Sequence, residues 1–257
     1  MQWVACSAAR EGHLSVQLRQ RLGALAIDVE FTLRKPWTIL FGPSGSGKTT
    51  ILRAIAGLQR PDVARIVGRL DGRAETLTDS GSSVFVPAHR RGTPLASQTP
   101  ALFPQMTVRE NIYFGCGDVA GADAELPKLF HVDELLEKRP AQLSGGEAQR
   151  VSLARAAMAR SARILLLDEP FTGLDMPLRE SLIANLLEWQ RRSGTPILSV
   201  THDVGEAFQL GAEVIKLADG RVVEQGPVEV VLAEERVRLL GQLGNPTSQT
   251  RDVGHPI

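Results

Sequence analysis

Trp37-Thr-Ile-Leu-Phe41-Gly42-Pro-Ser-Gly-Ser-Gly-Lys48-Thr49 decides the fold. Its first five residues are an apolar run without polar alternation, the pattern of a parallel strand covered on both faces. Residues 42–49 satisfy G-x-x-x-x-G-K-[ST], and Thr49 to Leu58 follows with helical spacing of apolar residues that stops at Gly57. Strand, glycine loop and helix in that order make a phosphate-binding turn. Gly42, Gly45 and Gly47 let successive backbone N–H groups point inward around phosphate oxygens, and the helix adds its positive N-terminus. Lys48 is expected to reach the β- and γ-phosphates, and the Thr49 hydroxyl to bind Mg²⁺. Pro43, Ser44, Ser46 and Thr50 complete the expected nucleotide-binding set around them.

Upstream, Leu14-Val16-Leu18 and Leu25-Ile27-Val29-Phe31 alternate with period two, so a hairpin or small sheet opens the chain. Downstream, Ile164-Leu-Leu-Leu167 and Pro196-Ile-Leu-Ser-Val200 read as two more buried strands, with a helical pattern over Leu178 to Arg192 between them. Such alternation predicts a parallel α/β sheet. From Pro100 to Arg160 the pattern is helical instead, with segments at Val108 to Phe114, Asp133 to Leu136 and Ala148 to Arg160. Another helical segment is expected near Val228 to Leu240, followed by a polar, frayed tail from Asn245.

Composition narrows the function classes. Twenty-nine basic residues balance twenty-nine acidic ones, so the positive field needed to hold a nucleic-acid backbone is missing and no nucleic-acid partner is expected. Cys6 and Cys116 form no C-x-x-C pair, which fits idle thiols in a reducing compartment. No apolar run approaches a membrane span, and Met1 to Gln20 carries charges where a signal peptide would be apolar. A soluble, cytosolic chain is expected, linked to a membrane only through a partner.

Asp168-Glu169-Pro170 places two carboxylates at the carboxyl end of a buried strand, where parallel α/β sheets put their ligands. Asp168 is expected to hold Mg²⁺ through water, and Glu169 to polarise the attacking water. A phosphate loop and two carboxylates still leave kinases, GTPases and motor ATPases open. Leu143-Ser144-Gly145-Gly146-Glu147-Ala148-Gln149-Arg150 narrows them, because it resembles the signature sequence of ATP-binding-cassette proteins and precedes the Asp168-Glu169 strand as in that family. Ser144 with Glu147 three residues on also forms a capping box, so the next helix begins with N–H groups aimed at an anion.

What the resemblance implies is specific. Ser144, Gly145 and Gly146 would bind the γ-phosphate of ATP held by an opposite subunit, so a homodimer is expected, with ATP between its subunits. Gln98, in Gln98-Thr-Pro-Ala-Leu-Phe-Pro104, resembles the glutamine loop that contacts Mg²⁺ and the attacking water. Asp175, in Phe171-Thr-Gly-Leu-Asp175, resembles the loop that crosses to the partner's site, and His202, in Val200-Thr-His-Asp203, the switch histidine beside the γ-phosphate. The catalytic set is therefore Glu169, His202, Lys48 and Gln98; the metal set is Thr49, Gln98 and Asp168; the cofactors are ATP and Mg²⁺. Two departures stand out. No aromatic lies between Trp3 and Phe31 to stack on adenine, which leaves Arg19, Arg21 or Leu22 as substitutes, and Gly92 to Ser97 is small and interrupted by proline, so its strand pairing should be irregular.

The expected fold class is α/β: a P-loop NTPase (RecA-like) core with an N-terminal antiparallel β subdomain and a helical subdomain insertion. An ATPase domain is expected over 1–225, with its core at 1–97 and 151–225 and the helical subdomain at 98–150. Residues 226–257 would add a short C-terminal helix and tail, too little for a regulatory domain. Arg21-Leu-Gly, Phe85-Val-Pro-Ala-His-Arg-Arg91 and Leu174-Asp-Met-Pro-Leu-Arg179 resemble molybdate-importer ATPases. That likeness implies transmembrane permease subunits contacted through Pro100 to Phe114, an external substrate-binding protein, and a peripheral place on the cytoplasmic face of the inner membrane. Sulfate or another anion, and a soluble cassette ATPase of the iron–sulfur assembly type, are the competing readings. Repair-type coiled-coil heptads are missing, and a phosphate-loop kinase would not explain Leu143 to Glu147.

Overall fold

The computed structural model describes residues 13–70, 73–114, 116, 125–159 and 162–243. Cys6, the tail from Asn245 and the end of the Ala148 to Arg160 segment fall outside these residues. Eleven strands form one sheet: β1 (Leu14–Leu22), β2 (Leu25–Leu33), β3 (Trp37–Phe41), β4 (Val63–Leu70), β5 (Arg73–Asp79), β6 (Val84–Phe85), β7 (Leu95–Ala96), β8 (Leu165–Asp168), β9 (Ile197–Thr201), β10 (Glu213–Ala218) and β11 (Arg221–Pro227). Their order is β6-β5-β4-β1-β2-β11-β10-β3-β9-β8-β7. The β6 to β2 side is antiparallel, whereas β10, β3, β9, β8 and β7 run parallel.

The helices are α1 (Lys48–Ile55), α2 (Val108–Tyr113), α3 (Leu126–Leu129), α4 (Gly145–Met158), α5 (Met176–Ser193), α6 (Val204–Leu210), α7 (Val228–Val231) and α8 (Ala233–Leu243). Strand β3 shows why its run is apolar apart from the buried Thr38. Trp37, Ile39 and Phe41 pack on one face with Leu165, Leu167, Leu186 and Val151, while Leu40 packs on the other with Leu166, Leu198, Ile51 and Ile55. Side chains alternate across a strand, so a strand sandwiched between α1 and the α4/α5 layer buries every step, and all but Thr38 are apolar.

The structure refines several expectations. The α1 helix starts at Lys48 and ends at Ile55, two residues before Gly57, which takes φ +74. Asp133 to Leu136 forms only a 3-10 turn, and the segment beyond Gly226 breaks into α7 and α8 at Leu232 (φ −111, ψ 21). The α4 helix begins at Gly145, three residues earlier than expected, and runs across residue 150. The pairing before Gln98 is short and regular where irregularity is expected: β7 pairs in parallel register over two residues, Leu95 with Leu166 and Ala96 with Leu167, and Pro94, with no N–H to offer, still accepts from Leu166 N through its carbonyl at 2.9 Å. Strands β4, β5, β10 and β11 were not read from the sequence; Arg73–Asp79 has too few apolar residues for the alternation to stand out.

A buried cation braces the end of α1. Arg91 is fully buried, donating from Nη1 to the carbonyls of Ala54 and Ile55, from Nη2 to Thr78 Oγ1 and from Nε to Val86 O. Its guanidinium also lies 4.8 Å from the Phe85 ring centre. It thus satisfies carbonyls that a helix end leaves open and ties α1 to β5. Cys116 is buried, its thiol toward the Met158 carbonyl at 3.4 Å.

Candidate functional site

The loop between β3 and α1 closes tightly against β10 and β2. A Cβ on Gly42 would sit 2.5 Å from the Leu217 carbonyl oxygen, and one on Gly47 would sit 2.6 Å from Ile27 Cδ1. Gly47 also holds φ 96 as the residue before α1, a left-handed conformation that favours glycine. No side chain caps α1, so its first N–H groups face the loop. Lys48 is buried and arches back over the loop, its Nζ donating to the carbonyls of Gly42 (2.7 Å) and Pro43 (2.8 Å). Burial holds its ammonium below the usual value, against the opposing pull of Glu169 and Asp168.

Thr49 Oγ1 donates to Asp168 Oδ1 at 3.2 Å across 119 residues of sequence. Burial raises the Asp168 carboxyl more than the Thr49 hydrogen bond lowers it. A hydroxyl and a buried carboxylate side by side are hard oxygen donors, which suit Mg²⁺ shared with phosphate oxygens. Next to them, Glu169 takes φ +48, an uncommon conformation for a side-chain-bearing residue. Its backbone N–H is fixed by Val200 O at 3.0 Å. Its carboxylate is gripped on both oxygens: His202 Nδ1 lies 3.0 Å from Oε1, and Gln98 Nε2 donates to Oε2 at 3.1 Å. Thr172 Oγ1 approaches Oε2 at 3.4 Å, a neighbour that the sequence motif contained without revealing a role.

A cavity of about 330 Å³ joins these groups, lined by Ser44, Gly45, Gly47, Lys48, Thr49, Thr50, Gln98 and Glu169. Leu22 and Leu25, flanking the β1–β2 turn, line it too. Of the three adenine-stacking substitutes, Leu22 is therefore the one at the cavity; Arg19 pairs with Asp28 at 3.1 Å, and the Arg21 N–H is bound by Asp62 at 2.8 Å.

Ser144, Gly145, Gly146 and Asp175 do not line this cavity. Ser144 caps α4 in the expected box: its Oγ accepts from Glu147 N at 3.3 Å, and its N–H donates to Glu147 Oε2 at 2.7 Å. Asp175 caps α5, accepting from Leu178 N at 3.0 Å. The two caps are neighbours, because a Cβ on Gly146 would meet Leu174 Cδ2 at 3.1 Å. Among the described residues, then, one chain carries a phosphate loop with its carboxylates and, elsewhere on its surface, a capped helix start.

The sequence matches the ABC transporter family over residues 27–172. The chain belongs to the ABC transporter family. As an ABC cassette it is an ATPase, and solved cassettes superpose on it. A dimeric post-hydrolysis ATP-binding cassette bound to ADP and Pi matches with a TM-score of 0.68 at 25% identity, over 84% of this chain and 98% of that one. The cbiO1 protein from Clostridium perfringens, part of the ABC transporter complex cbiONQ, gives 0.70 at 25% identity over 92% and 96%. Among curated relatives, a molybdenum import ATP-binding protein from Rhizobium etli is 40% identical over 95% of this chain and 70% of its own length. A molybdate/tungstate import protein from Archaeoglobus fulgidus is 37% identical over 84% and 88%. An Fe(3+) import protein from Mesorhizobium japonicum is 43% identical over 80% and 56%.

Two further features lie on the surface. A cleft of about 770 Å³ opens behind the carboxylates, lined among others by Arg53, Leu58, His89, Thr99, Ala101 and Arg155. Leu58 is 56% exposed there. In the Pro100 to Phe114 stretch, Arg109 pairs with exposed Glu137 at 2.8 Å. Glu110 closes a capping box with Thr107 on α2, so reversing its charge would also unseat the helix start. No helix among the described residues is long and apolar enough to cross a membrane.

Proposed function

We propose that this cassette hydrolyses ATP to energise import of a molybdate-class oxyanion. The grip of Gln98 and His202 on the two oxygens of Glu169 carries the chemical part of the reading. The phosphate loop with Lys48 and the α1 N-terminus holds the β- and γ-phosphates. Thr49 Oγ1 and, through water, Asp168 would hold Mg²⁺, which would supply neutralisation of phosphate charge. Glu169 accepts a proton from water as the water oxygen attacks the γ-phosphorus and the bond to the bridging oxygen of ADP breaks. His202 keeps the carboxylate and the γ-phosphate in line, and Gln98 orients the same carboxylate from the opposite side.

Ser144, Gly145, Gly146 and Asp175 serve the site of a second copy, so two chains meet head to tail around two ATP molecules. ATP binding favours the closed dimer and hydrolysis releases it. The pair works as a peripheral assembly on the cytoplasmic face of the membrane, under permease subunits fed by a substrate-binding protein. The cleft at Leu58 and Ala101 receives a short permease helix, its apolar wall suited to a helix face and its size to a few turns of side chains. The division into core 1–97 and 151–225, helical part 98–150 and C-terminal segment 226–257 follows the same reading, with α4 spanning one boundary.

Molybdate is favoured over iron because molybdenum-type relatives recur with 84–95% of the chain matched, whereas the Fe(3+) relative, though slightly more identical, matches 80% of it. The test compares uptake of molybdenum, iron and sulfur in cells carrying the native protein or Lys48→Ala. A deficit confined to molybdenum supports the proposal. A deficit confined to iron or to sulfur reassigns the substrate, and no deficit in any of them ends the importer reading for these ions.

A further inference from the structure

The His202 imidazole is 56% exposed, yet it meets Glu169 at 3.0 Å. A side chain so open to solvent is oriented by the backbone that carries it. Thr201 Oγ1 accepts from Asp203 N at 3.0 Å and donates to Glu206 Oε2 at 3.1 Å, while Asp203 Oδ1 accepts from Glu206 N at 2.9 Å. These bonds lock residues 201–206 to each other. A tether from another element anchors them: Arg179 on α5, its Nη2 2.9 Å from Asp203 Oδ2 and 3.5 Å from Glu206 Oε2. Arg179 is 16% exposed and Glu206 6% exposed, so the guanidinium and its contact with Glu206 are shielded from solvent, while Asp203, at 40%, reaches the surface.

Arg179 also belongs to the first turn of α5. Its N–H donates to the carbonyl of Asp175 at 3.0 Å, and Asp175 caps that helix. We infer that Arg179 is a positioning residue that couples the Asp175 loop to the His202 switch, setting the imidazole against Glu169 through Asp203 and Glu206. A displacement of the α5 start passes to residues 201–203 through one guanidinium and two carboxylates. The inference rests on the reading that His202 assists Glu169 in hydrolysis. It gives a task to Arg179, which the sequence carried in Leu174-Asp-Met-Pro-Leu-Arg179 without one.

The experiment is single-turnover and steady-state ATP hydrolysis by the full chain with Arg179→Met, Arg179→Lys and Asp203→Asn, each in the native and the His202→Ala backgrounds. Arg179→Met is expected to lower kcat about tenfold with KM for ATP within about twofold, as a misplaced group costs rate more than binding. Arg179→Lys should recover part of the loss, and Arg179→Met with Asp203→Asn should cost no more than either alone. In the His202→Ala background, Arg179→Met should have no further effect. An equal loss in both backgrounds, or a native rate for Arg179→Met, overturns the inference while leaving His202 in place. A native rate for His202→Ala alone overturns the role of His202, and the inference with it. If Arg179→Met does not fold, Asp203→Asn in the two backgrounds decides by the same criterion.

Discussion

Single side chains decide how this site recognises its nucleotide and how it responds to pH. Leu22, 37% exposed beside the phosphate-loop cavity, offers an aliphatic surface where a ring would stack better. Leu22→Trp is expected to lower KM for ATP roughly fivefold, the worth of about 1 kcal/mol of aromatic stacking, with kcat little changed. Steady-state kinetics with ATP would check it, and an unchanged or raised KM would remove Leu22 from the base-binding wall. At Glu206, burial pushes the carboxyl up to about 7, more than Thr201 and Arg179 pull it down. The folded value exceeds the unfolded one, so the folded form holds the proton more tightly. The stabilisation is therefore complete below the ordinary glutamate value and is lost as pH rises toward about 7 and beyond. Glu206→Gln, which cannot ionise, should flatten this part of the stability profile between pH 5 and 8, by up to about 3 kcal/mol. Urea unfolding of both proteins across that range measures it, and parallel profiles would refute it.

At the scale of elements, the α1 helix carries the phosphate loop at one end and a buried cation at the other. Gly57 holds φ +74, and a Cβ there would run into the Arg91 side chain. Gly57→Ala is expected to destabilise the protein by about 2 kcal/mol or more, the sum of a left-handed alanine and a displaced guanidinium. Thermal unfolding checks this, and a melting temperature within a degree of native would mean that Arg91 moves aside without loss. The motif announced α1, but its brace could not be read, because Arg91 lies 36 or 37 residues from the carbonyls it meets. The same limit applies to β5. Its residues look like a polar loop until pairing with β4 and β6 gives their backbone a partner on each side.

In the whole molecule, the Ser144 capped helix start does not line the phosphate-loop cavity, and the proposed function gives it to the site of a second copy. Glu169→Gln is expected to bind ATP, cease turnover and accumulate as a dimer, while the native protein with ATP cycles back to monomer. Light scattering with ATP and Mg²⁺ distinguishes them, and a monomeric, inactive variant would contradict the head-to-tail arrangement. Removing Mg²⁺ with a chelator should abolish hydrolysis in the native protein by leaving phosphate charge uncompensated. The sequence alone determined the α/β architecture and the family, because both are written in contiguous stretches: an apolar strand, a glycine loop, a capping box and an acidic pair. Tertiary structure alone decided how those stretches act together. The grip on Glu169 joins Gln98, Glu169 and His202 from three loops, and the clamp on His202 reaches from α5 to α6. Hydrogen bonds and ion pairs act over about 3 Å in space without regard to separation along the chain, so no local pattern of residues records them.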